Sequence, residues 1–309
     1  KVSIIGMGNV GATFAYALTL SGLASEIVLV DINEKKAQGE AMDLNHAIPL
    51  VQPARIWAGG YEDIAGAAIT VVTAGSAQRP GETRLDLLAR NVAIFKSIIP
   101  EIVKNNPDGL ILIATNPVDI LSYAAWKISG LPQERVIGSG TVLDTARFRY
   151  LLGDAYDVDP RSVHAYIIGE HGDSELAVWS LANIAGMRLD EFCEVNAKDL
   201  GVIDREAIEH QTREAAYAII EAKGATYYAI GAGLLRIVES ILRDQGTVMS
   251  VSTHIVDFAG VDDVYLSLPC IIGRHGIEQV MRLPLSSEET SKFQASGALM
   301  RSYIEQLDF

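Results

Sequence analysis

The sequence predicts an α/β fold, in which a doubly wound parallel sheet over residues 1–140 precedes an α+β second domain over residues 141–309. Apolar runs of strand length alternate with helical patterns in the first half, and such alternation is typical of a parallel sheet covered by helices. Beyond residue 140 the pattern changes to short strands, longer helices and a hairpin. With 309 residues, of which 49% are hydrophobic, the chain has material for two domains that share a cleft.

The first half opens with a strand, a glycine-rich turn, a helix and a second strand, which together predict a βαβ unit. We expect Pro100 to kink or divide a later long helix, because proline removes a backbone donor and clashes with the preceding turn. The predicted strands cover residues 1–5, 26–31, 55–58, 68–74, 110–114 and 135–138, and the predicted helices cover 12–23, 34–47, 84–104 and 118–129.

The second half has its own helix and hairpin signals. A helix over 204–223 has an acidic N-cap residue and ends at Gly224, and Ser286 with Glu289 forms a capping box for a C-terminal helix. A shorter helix at 144–153, a strand at 162–169 and antiparallel strands at 263–272 and 277–283 complete the prediction.

The acidic composition excludes two classes of partner. The formal net charge is -14 and no run of five Lys or Arg occurs, so we expect neither nucleic acid nor an anionic membrane as a partner. Cys193 and Cys270 are too few for a disulfide framework, and no apolar run approaches the roughly 20 residues that span a bilayer. Because the chain opens in a strand and not in a leader segment, we expect a cytoplasmic protein with a small-molecule substrate.

A glycine-rich segment after the first strand predicts a dinucleotide site of the Rossmann type. Asp31 lies 20 residues beyond this segment, at the end of the second strand, where a carboxylate accepts hydrogen bonds from ribose hydroxyls and disfavours a 2′-phosphate. The cofactor is therefore predicted to be NAD and not NADP; the alternative is that these glycines only make a tight turn. The segment matches G-x-G-x-x-G and consists of Gly6, Met7, Gly8, Asn9, Val10 and Gly11.

Two further segments leave strands at the carboxyl edge of the predicted sheet, where ligands of open α/β sheets bind. Thr73, Ala74 and Gly75 follow one strand and are assigned to the cofactor site. Asn116 follows another, and its amide is placed to meet the nicotinamide ribose or the oxygen of the substrate.

His171, in the stretch IIGEHGDS, is the candidate catalytic base, because histidine titrates near neutrality and the flanking glycines leave room for a ligand. Asp144 is the candidate carboxylate that steadies the imidazolium; the alternative is an ordinary helix N-cap. Arg147 lies about 60 degrees from Asp144 around a helix and is suited to a substrate carboxylate, although an intrahelical ion pair with Asp144 is the simpler reading. No cluster of His, Cys and acidic residues has metal-ligand spacing, so no metal is expected.

The segment 73–84, TAGSAQRPGETR, has the composition of a loop that can hinge. Arg84 at its end is the candidate for polarising a substrate carbonyl when the loop closes. The alternative for Arg84 is a solvated arginine in the first turn of a helix.

The motifs GMGNVG, ATNPVD, DTARFR, GEHGDS and PGETR occur in this order, and the chain resembles the L-lactate and malate dehydrogenase superfamily over its whole length, bacterial L-lactate dehydrogenases most closely. The resemblance implies reversible hydride transfer between NADH and pyruvate, as in glycolytic fermentation. It assigns acid/base catalysis to His171, its orientation to Asp144, and activation of the carbonyl to Arg84. The substrate pocket that it implies contains Gln78, Arg84, Asn116, Arg147 and Thr226.

The resemblance also indicates which of the superfamily's substrates this chain uses. Malate enzymes of the superfamily carry an arginine for the second carboxylate where this chain has Gln78, so pyruvate is the expected substrate. Arg79 lies one residue along and leaves a malate dehydrogenase or a broad 2-hydroxyacid dehydrogenase as an alternative. A catalytically silent NAD-binding protein is a more remote one, since His171 and Arg84 are both present.

Bacterial enzymes of this type that respond to fructose 1,6-bisphosphate carry an arginine and a histidine that match Arg149 and His164. The resemblance therefore implies an allosteric site for this effector across a subunit interface, stronger at acidic pH, in a homotetramer.

Overall fold

A computed structural model describes residues 1–76, 84–196 and 203–307. Its strands are, in chain order, β1 (Val2–Ile5), β2 (Glu26–Val30), β3 (Arg55–Ala58), β4 (Ile69–Val72), β5 (Leu110–Ile113), β6 (Val136–Gly138), β7 (Val163–His164), β8 (Ile167–Ile168), β9 (Leu176–Ala177), β10 (Asn183–Ile184), β11 (Met187–Arg188), β12 (Thr247–Ile255), β13 (Val264–Gly273) and β14 (Gly276–Val280).

The α-helices alternate with the strands in the first half and cluster in the second. They are α1 (Asn9–Ser21), α2 (Glu34–Ala47), α3 (Arg84–Asn105), α4 (Val118–Ser129), α5 (Val142–Tyr156), α6 (Leu189–Val195), α7 (Arg205–Lys223), α8 (Tyr228–Leu242) and α9 (Ser287–Ile304). In the described residues, we find no helix with the length and apolar character needed to cross a membrane.

One large sheet forms the centre of the protein, with the strand order β14-β13-β12-β6-β5-β4-β1-β2-β3. The six strands of the first half pair in parallel, which confirms the predicted doubly wound sheet. The strand order changes direction between β1 and β4, so the carboxyl ends of these strands border a crevice suited to a ligand. The second half extends the same sheet, because β12 pairs antiparallel with β6 through Ser252 and Gly138.

Hydrophobic clusters cover both faces of this sheet, and alternate residues of one strand belong to different clusters. In β4, Val72 packs into one cluster with α3 and α4, whereas Val71 packs into the other with α1 and α8. Burial on both faces explains why the central strands are apolar throughout. A third, smaller cluster lies beneath β7 and β10 in the second half.

Several predicted elements have the boundaries that the structure shows. The helices at 34–47 and 118–129 and the strand at 55–58 match, and the C-terminal helix begins with the predicted capping box. Asp204 caps α7 by accepting the backbone N–H of Ala207, and Gly224 ends that helix in the left-handed conformation.

Other elements differ from the prediction. Pro100 does not divide α3, which is amphipathic and continues to Asn105. The strand predicted at 162–169 is two short strands that pair with different partners, β7 with β10 and β8 with β9. The helix predicted at 144–153 is longer, and its N-cap residue is Thr141, which places Asp144 inside the first turn.

Candidate active site

The glycine-rich segment connects β1 to α1, as predicted, and each glycine meets different surroundings. Gly6 has a φ of +102° and lies against the backbone of Ala74, and a Cβ on Gly11 would lie 2.0 Å from the carbonyl oxygen of Gly6. A Cβ on Gly8 would meet nothing within 4 Å. Gly8 therefore borders open space beside the first N–H groups of α1, where a pyrophosphate can be held.

Asp31 lies at the end of β2 and turns back toward this loop. One of its carboxylate oxygens accepts the backbone N–H of Met7 at 2.6 Å, and the other accepts the N–H of Asn33 at 2.8 Å. A carboxylate fixed beside the glycine loop fits the ribose of NAD.

The other predicted cofactor residues lie at the ends of β4 and β5. The Thr73 hydroxyl donates to the carbonyl oxygen of Gly6 at 2.7 Å, which ties the end of β4 to the loop. Gly75 packs so closely on Thr115 that a Cβ would lie 2.3 Å from its methyl group. Asn91, which the sequence reasoning missed, donates to the carbonyl oxygen of Asn116 at 3.2 Å and accepts the N–H of Ser76. These contacts bring both segments to one edge of the sheet.

His171 and Asp144 lie side by side, although 27 residues separate them. His171 Nδ1 is 2.5 Å from Asp144 Oδ2, and Arg147 Nη1 donates to Asp144 Oδ1 at 2.7 Å. The Asp144 side chain is 2% exposed and that of His171 is 23% exposed. The intrahelical ion pair of Arg147 and the His171–Asp144 pair thus occur together, and one carboxylate orients both cations.

Charge determines the protonation of this pair. Burial by itself would lower the pKa of His171, but the charge and hydrogen bond of Asp144, with smaller contributions from Asp119 and Glu175, raise it to about 9. Burial would raise the pKa of Asp144, and the adjacent His171 and Arg147 outweigh it and keep that pKa below the ordinary value. Near neutrality the imidazole carries a proton that it can donate.

The backbone of the His171 segment is held from two sides. Gly169 pairs with Ser267 of β13 through two backbone hydrogen bonds of 3.0 and 2.8 Å. Asp119, in the first turn of α4, accepts the N–H of His171 at 2.7 Å and the hydroxyl of Ser252 at 2.6 Å. Burial raises the pKa of the Asp119 carboxyl to about 7. The sequence reasoning did not single out Asp119, which comes three residues after Asn116.

A cavity of about 500 Å³ opens in front of this pair. The start of α3 and the middle of α7 contribute apolar walls, and the polar groups converge from α5, α7 and the His171 segment. Its lining residues are Leu87, Asn116, Pro117, Asp144, Arg147, His171, Gly172, Asp173, Glu175, Arg213, Ala216, Tyr217 and Ile220.

Glu175 and Arg213 are charged residues of this cavity that were not predicted, as is Asp173. Glu175 is 8% exposed, and its carboxylate, the His171 imidazole and the Asp144 carboxylate place atoms within 4.8 Å of one another. Arg213 comes from α7, and its Nε is buried with no hydrogen-bond partner in the described residues. Glu175 comes directly after the stretch GEHGDS, four residues from His171, and this proximity was the one available signal for it, whereas Arg213 has no motif or spacing that relates it to His171.

His171, Asp144 and Glu175 form a close group of side chains in which His171 and Asp144 are spaced for a hydrogen bond. His171 Nδ1 and Asp144 Oδ2 are 2.5 Å apart. Two ligands of one tetrahedral cation, each bonded at about 2 Å, lie about 3.3 Å apart. The observed separation is that of a hydrogen bond.

Three predicted substrate residues lie elsewhere or outside the description. Gln78, with the neighbouring Arg79, lies outside the described residues. Arg84 begins α3, but its side chain is also outside the description. Thr226 is partly buried in the connection between α7 and α8 and is not part of the described cavity wall.

Arg149 and His164 lie close together on the other side of α5. Arg149 Nε donates to the carbonyl oxygen of Ala165 at 2.9 Å, and its guanidinium lies 5.1 Å from the ring centroid of Tyr166. His164 precedes these residues on β7 and is exposed. The two side chains are therefore presented by neighbouring segments.

Comparison with known proteins gives matches over the whole chain. Residues 1–138 match the family model described as the lactate/malate dehydrogenase NAD-binding domain, and residues 141–308 match its alpha/beta C-terminal domain. An L-lactate dehydrogenase of Thermoanaerobacterium saccharolyticum is 54% identical over 308 residues, which cover 100% of this chain and 99% of that protein.

Solved structures give the same result. The minor L-lactate dehydrogenase of Enterococcus mundtii, in a ligand-bound form, superposes with a TM-score of 0.95 at 39% identity and covers 100% of this chain and 98% of its own. A lactate dehydrogenase from a Medee basin deep-sea metagenome library superposes with a TM-score of 0.94 at 42% identity and covers 98% of this chain and 97% of its own.

Proposed function

The chain belongs to the lactate/malate dehydrogenase family, and from this premise we propose that it is an NAD-dependent L-lactate dehydrogenase that interconverts pyruvate and L-lactate. The observation that carries the proposal is the His171–Asp144 pair, 2.5 Å apart, in a cavity that also contains Arg147 and Asn116. Its relatives of about 50% identity carry the name L-lactate dehydrogenase. We place its reaction in glycolytic fermentation in the cytoplasm.

The residues at the sheet edge fit the cofactor. Gly8 leaves room for a pyrophosphate at the start of α1, and the fixed carboxylate of Asp31 fits the ribose hydroxyls. NADH supplies the hydride when it is bound. The family models support a division of labour in which residues 1–140 bind the cofactor and residues 141–309 provide the catalytic groups.

The chemical role of the chain itself is to hold the substrate and to move one proton. Arg147 pairs with the substrate carboxylate through its planar guanidinium, and Arg84 polarises the carbonyl. His171 donates the proton from Nε2 to the oxygen that becomes the lactate hydroxyl, and Asp144 stabilises the imidazolium before transfer. Asn116 and Thr226 complete the pocket in this proposal.

The proposal is tested by NADH oxidation with pyruvate and with oxaloacetate in separate assays. We expect a large preference for pyruvate, because Gln78 leaves a second carboxylate without a paired charge. Gln78→Arg is expected to shift the preference toward oxaloacetate, and Arg79→Gln, one residue away, is the matched control. A preference of the parent enzyme for oxaloacetate would instead support the malate dehydrogenase alternative.

His171→Asn separates catalysis from cofactor binding. We expect this variant to bind NADH as the parent does and to lose turnover, because it keeps the fold but cannot donate the proton. Unchanged turnover would overturn the assignment of the base, whereas a parent enzyme that binds NADH but turns over neither pyruvate nor oxaloacetate would favour a protein that binds NAD for another purpose.

Fructose 1,6-bisphosphate is the proposed effector, bound by Arg149 and His164 from two subunits of a homotetramer. The exposed position of His164 beside the segment that holds Arg149 supports this assignment. We expect the effector to increase the apparent affinity for pyruvate at pH 5.5 to 6.5 and to favour the tetramer, and Arg149→Gln to abolish both effects. An effector that changes neither property in the parent enzyme would refute the proposal.

A further inference from the structure

Glu175 is a nearly buried carboxyl group beside the catalytic pair that the proposed reaction does not use. It precedes β9 and is 8% exposed, and it lines the same cavity as His171. One of its oxygens lies within 4.8 Å both of an imidazole nitrogen of His171 and of a carboxylate oxygen of Asp144. At this distance a full charge on Glu175 acts strongly on the imidazole.

The Glu175 carboxylate makes no hydrogen bond within the described residues; only its backbone N–H does, to the carbonyl oxygen of Gly172 at 3.1 Å. The carboxylate therefore borders the cavity without a fixed hydrogen-bond partner among the described residues, and it is available to act on the groups that face it. Across the same cavity, Arg213 carries a buried Nε that also lacks a partner in the described part of the chain.

We propose that Glu175 is a positioning residue that acts through charge: when it is ionised, in the alkaline range in which His171 titrates, its carboxylate holds the catalytic proton on His171, and it takes up a proton itself when His171 has released its own. This inference rests on the proposed acid/base role of His171. Glu175 would thus be a second carboxylate that acts on His171, beside that of Asp144.

The surroundings of Glu175 support such a linked exchange. Burial raises the pKa of Glu175 to about 8, and the negative charge of Asp144 adds to the effect, whereas the positive charges of His171, Arg213 and Arg147 oppose it. Once His171 is neutral, the carboxylates of Glu175 and Asp144 repel each other without a cation between them, so Glu175 binds a proton more readily. The charged groups that face the linked pair are Asp144 and Arg147 from α5, Arg213 from α7 and Asp119 from α4.

The test compares Glu175→Gln with the parent enzyme in both directions of the reaction. Pyruvate reduction needs protonated His171 and lactate oxidation needs neutral His171, so the midpoints of both kcat/KM profiles against pH report the same group. Removal of a charge about 5 Å away is expected to lower both midpoints by about one pH unit. A purely structural defect would lower the plateaus and leave the midpoints in place.

Two further variants control for charge and for packing. Glu191→Gln removes one negative charge from an exposed position on α6 and is expected to leave both midpoints unchanged. Glu175→Asp keeps the charge in a shorter side chain and is expected to shift the midpoints less than Glu175→Gln does. Midpoints in Glu175→Gln that agree with the parent within about 0.2 units would overturn the proposal.

A second measurement does not depend on turnover. Isotope-labelled histidine allows the His171 ring to be titrated by NMR in the full chain without substrate, with His171→Asn to assign its signal among six histidines. We expect the pKa of the ring to fall by about one unit in Glu175→Gln. If this shift occurs in a protein that does not reduce pyruvate, the charge inference stands and the proposed function fails; if pyruvate is reduced and the shift is absent, only the inference fails.

Discussion

Replacement of Asp144 by asparagine should reduce kcat/KM for pyruvate by a factor that increases with pH. The side chain is 2% exposed, and its two oxygens lie 2.5 Å from His171 Nδ1 and 2.7 Å from Arg147 Nη1. Asparagine has nearly the same size but no charge, so it removes the main contribution that raises the pKa of His171 to about 9. If the remaining burial, which lowers this pKa, and the remaining charges of Asp119 and Glu175, which raise it, offset each other, the pKa returns to the ordinary value near 6.5, a fall of about 2.5 units or about 3.4 kcal/mol.

The magnitude follows from the fraction of His171 that holds a proton. With a pKa near 9 this fraction is close to one at pH 7 and about 0.9 at pH 8, and with a pKa near 6.5 it is about 0.24 and about 0.03. We therefore expect Asp144→Asn to reduce kcat/KM for pyruvate about 4-fold at pH 7 and about 30-fold at pH 8. Loss of the contact that orients the His171 ring lowers kcat/KM by a further factor that does not depend on pH.

The assay is steady-state NADH oxidation from pH 6 to pH 9, with thermal unfolding to verify that the variant is folded. Asp154→Asn is the matched control, because Asp154 lies on the same helix but is exposed. It is expected to follow the parent profile throughout. A defect of the same size at pH 6 and at pH 9 would refute the charge argument and leave Asp144 with a steric role.

Four other outcomes follow from the structure. Pyruvate reduction by the parent enzyme should decline as pH rises through about 9, because His171 keeps its proton only below its raised pKa. Initial rates of NADH oxidation at a series of pH values detect this decline. Gly8→Ala should retain the thermal stability of the parent and lose NADH affinity, since its Cβ meets nothing within 4 Å and occupies the space for a pyrophosphate. Gly11→Ala should destabilise the fold by about 3 kcal/mol in urea unfolding, because its Cβ would lie 2.0 Å from a carbonyl oxygen. Asp119→Ala should lower stability by about 2 kcal/mol and reduce kcat more than KM, because a buried backbone N–H of the catalytic segment loses its acceptor; Asp119→Asn, which keeps an acceptor, should do much less.

The first half of the fold was predictable because its signals are local. Central strands are apolar on both faces, and the helices between them have clear caps. Two elements of the second half, β12 and α8, were not predicted. β12 carries buried hydroxyl residues whose partners lie far away in sequence, such as Ser252 with Asp119. α8 contains Gly231, which lowers helix propensity but allows close packing on α1, where a Cβ would lie 2.9 Å from the Thr13 methyl group.

The residues of the candidate site also fall into those that the sequence predicted and those that it did not. His171 and Arg147 lie in short motifs whose composition already suggests their chemistry, so the sequence led to them. Asp119, Glu175 and Arg213 act, in our interpretation, through distances that only the folded chain creates, since 52 residues separate Asp119 from the N–H that it accepts. Asp119 is the last residue of the motif ATNPVD, but a carboxylate in a helical first turn is common, so the motif alone did not assign it a role.

The continuity of the large sheet constrains how the site can open. β6 of the first half pairs with β12 of the second, and the Asp119 carboxylate joins α4 to both the His171 segment and β12. A rigid rotation of one half against the other would break this pairing and leave a buried carboxyl and a buried N–H without partners, at a cost of several kcal/mol. The base therefore stays fixed relative to Asn116 and the carboxyl edge of the sheet. We therefore expect access of substrate to depend on the segments that border the cavity, the start of α3 and the middle of α7, because their displacement would leave these buried bonds in place.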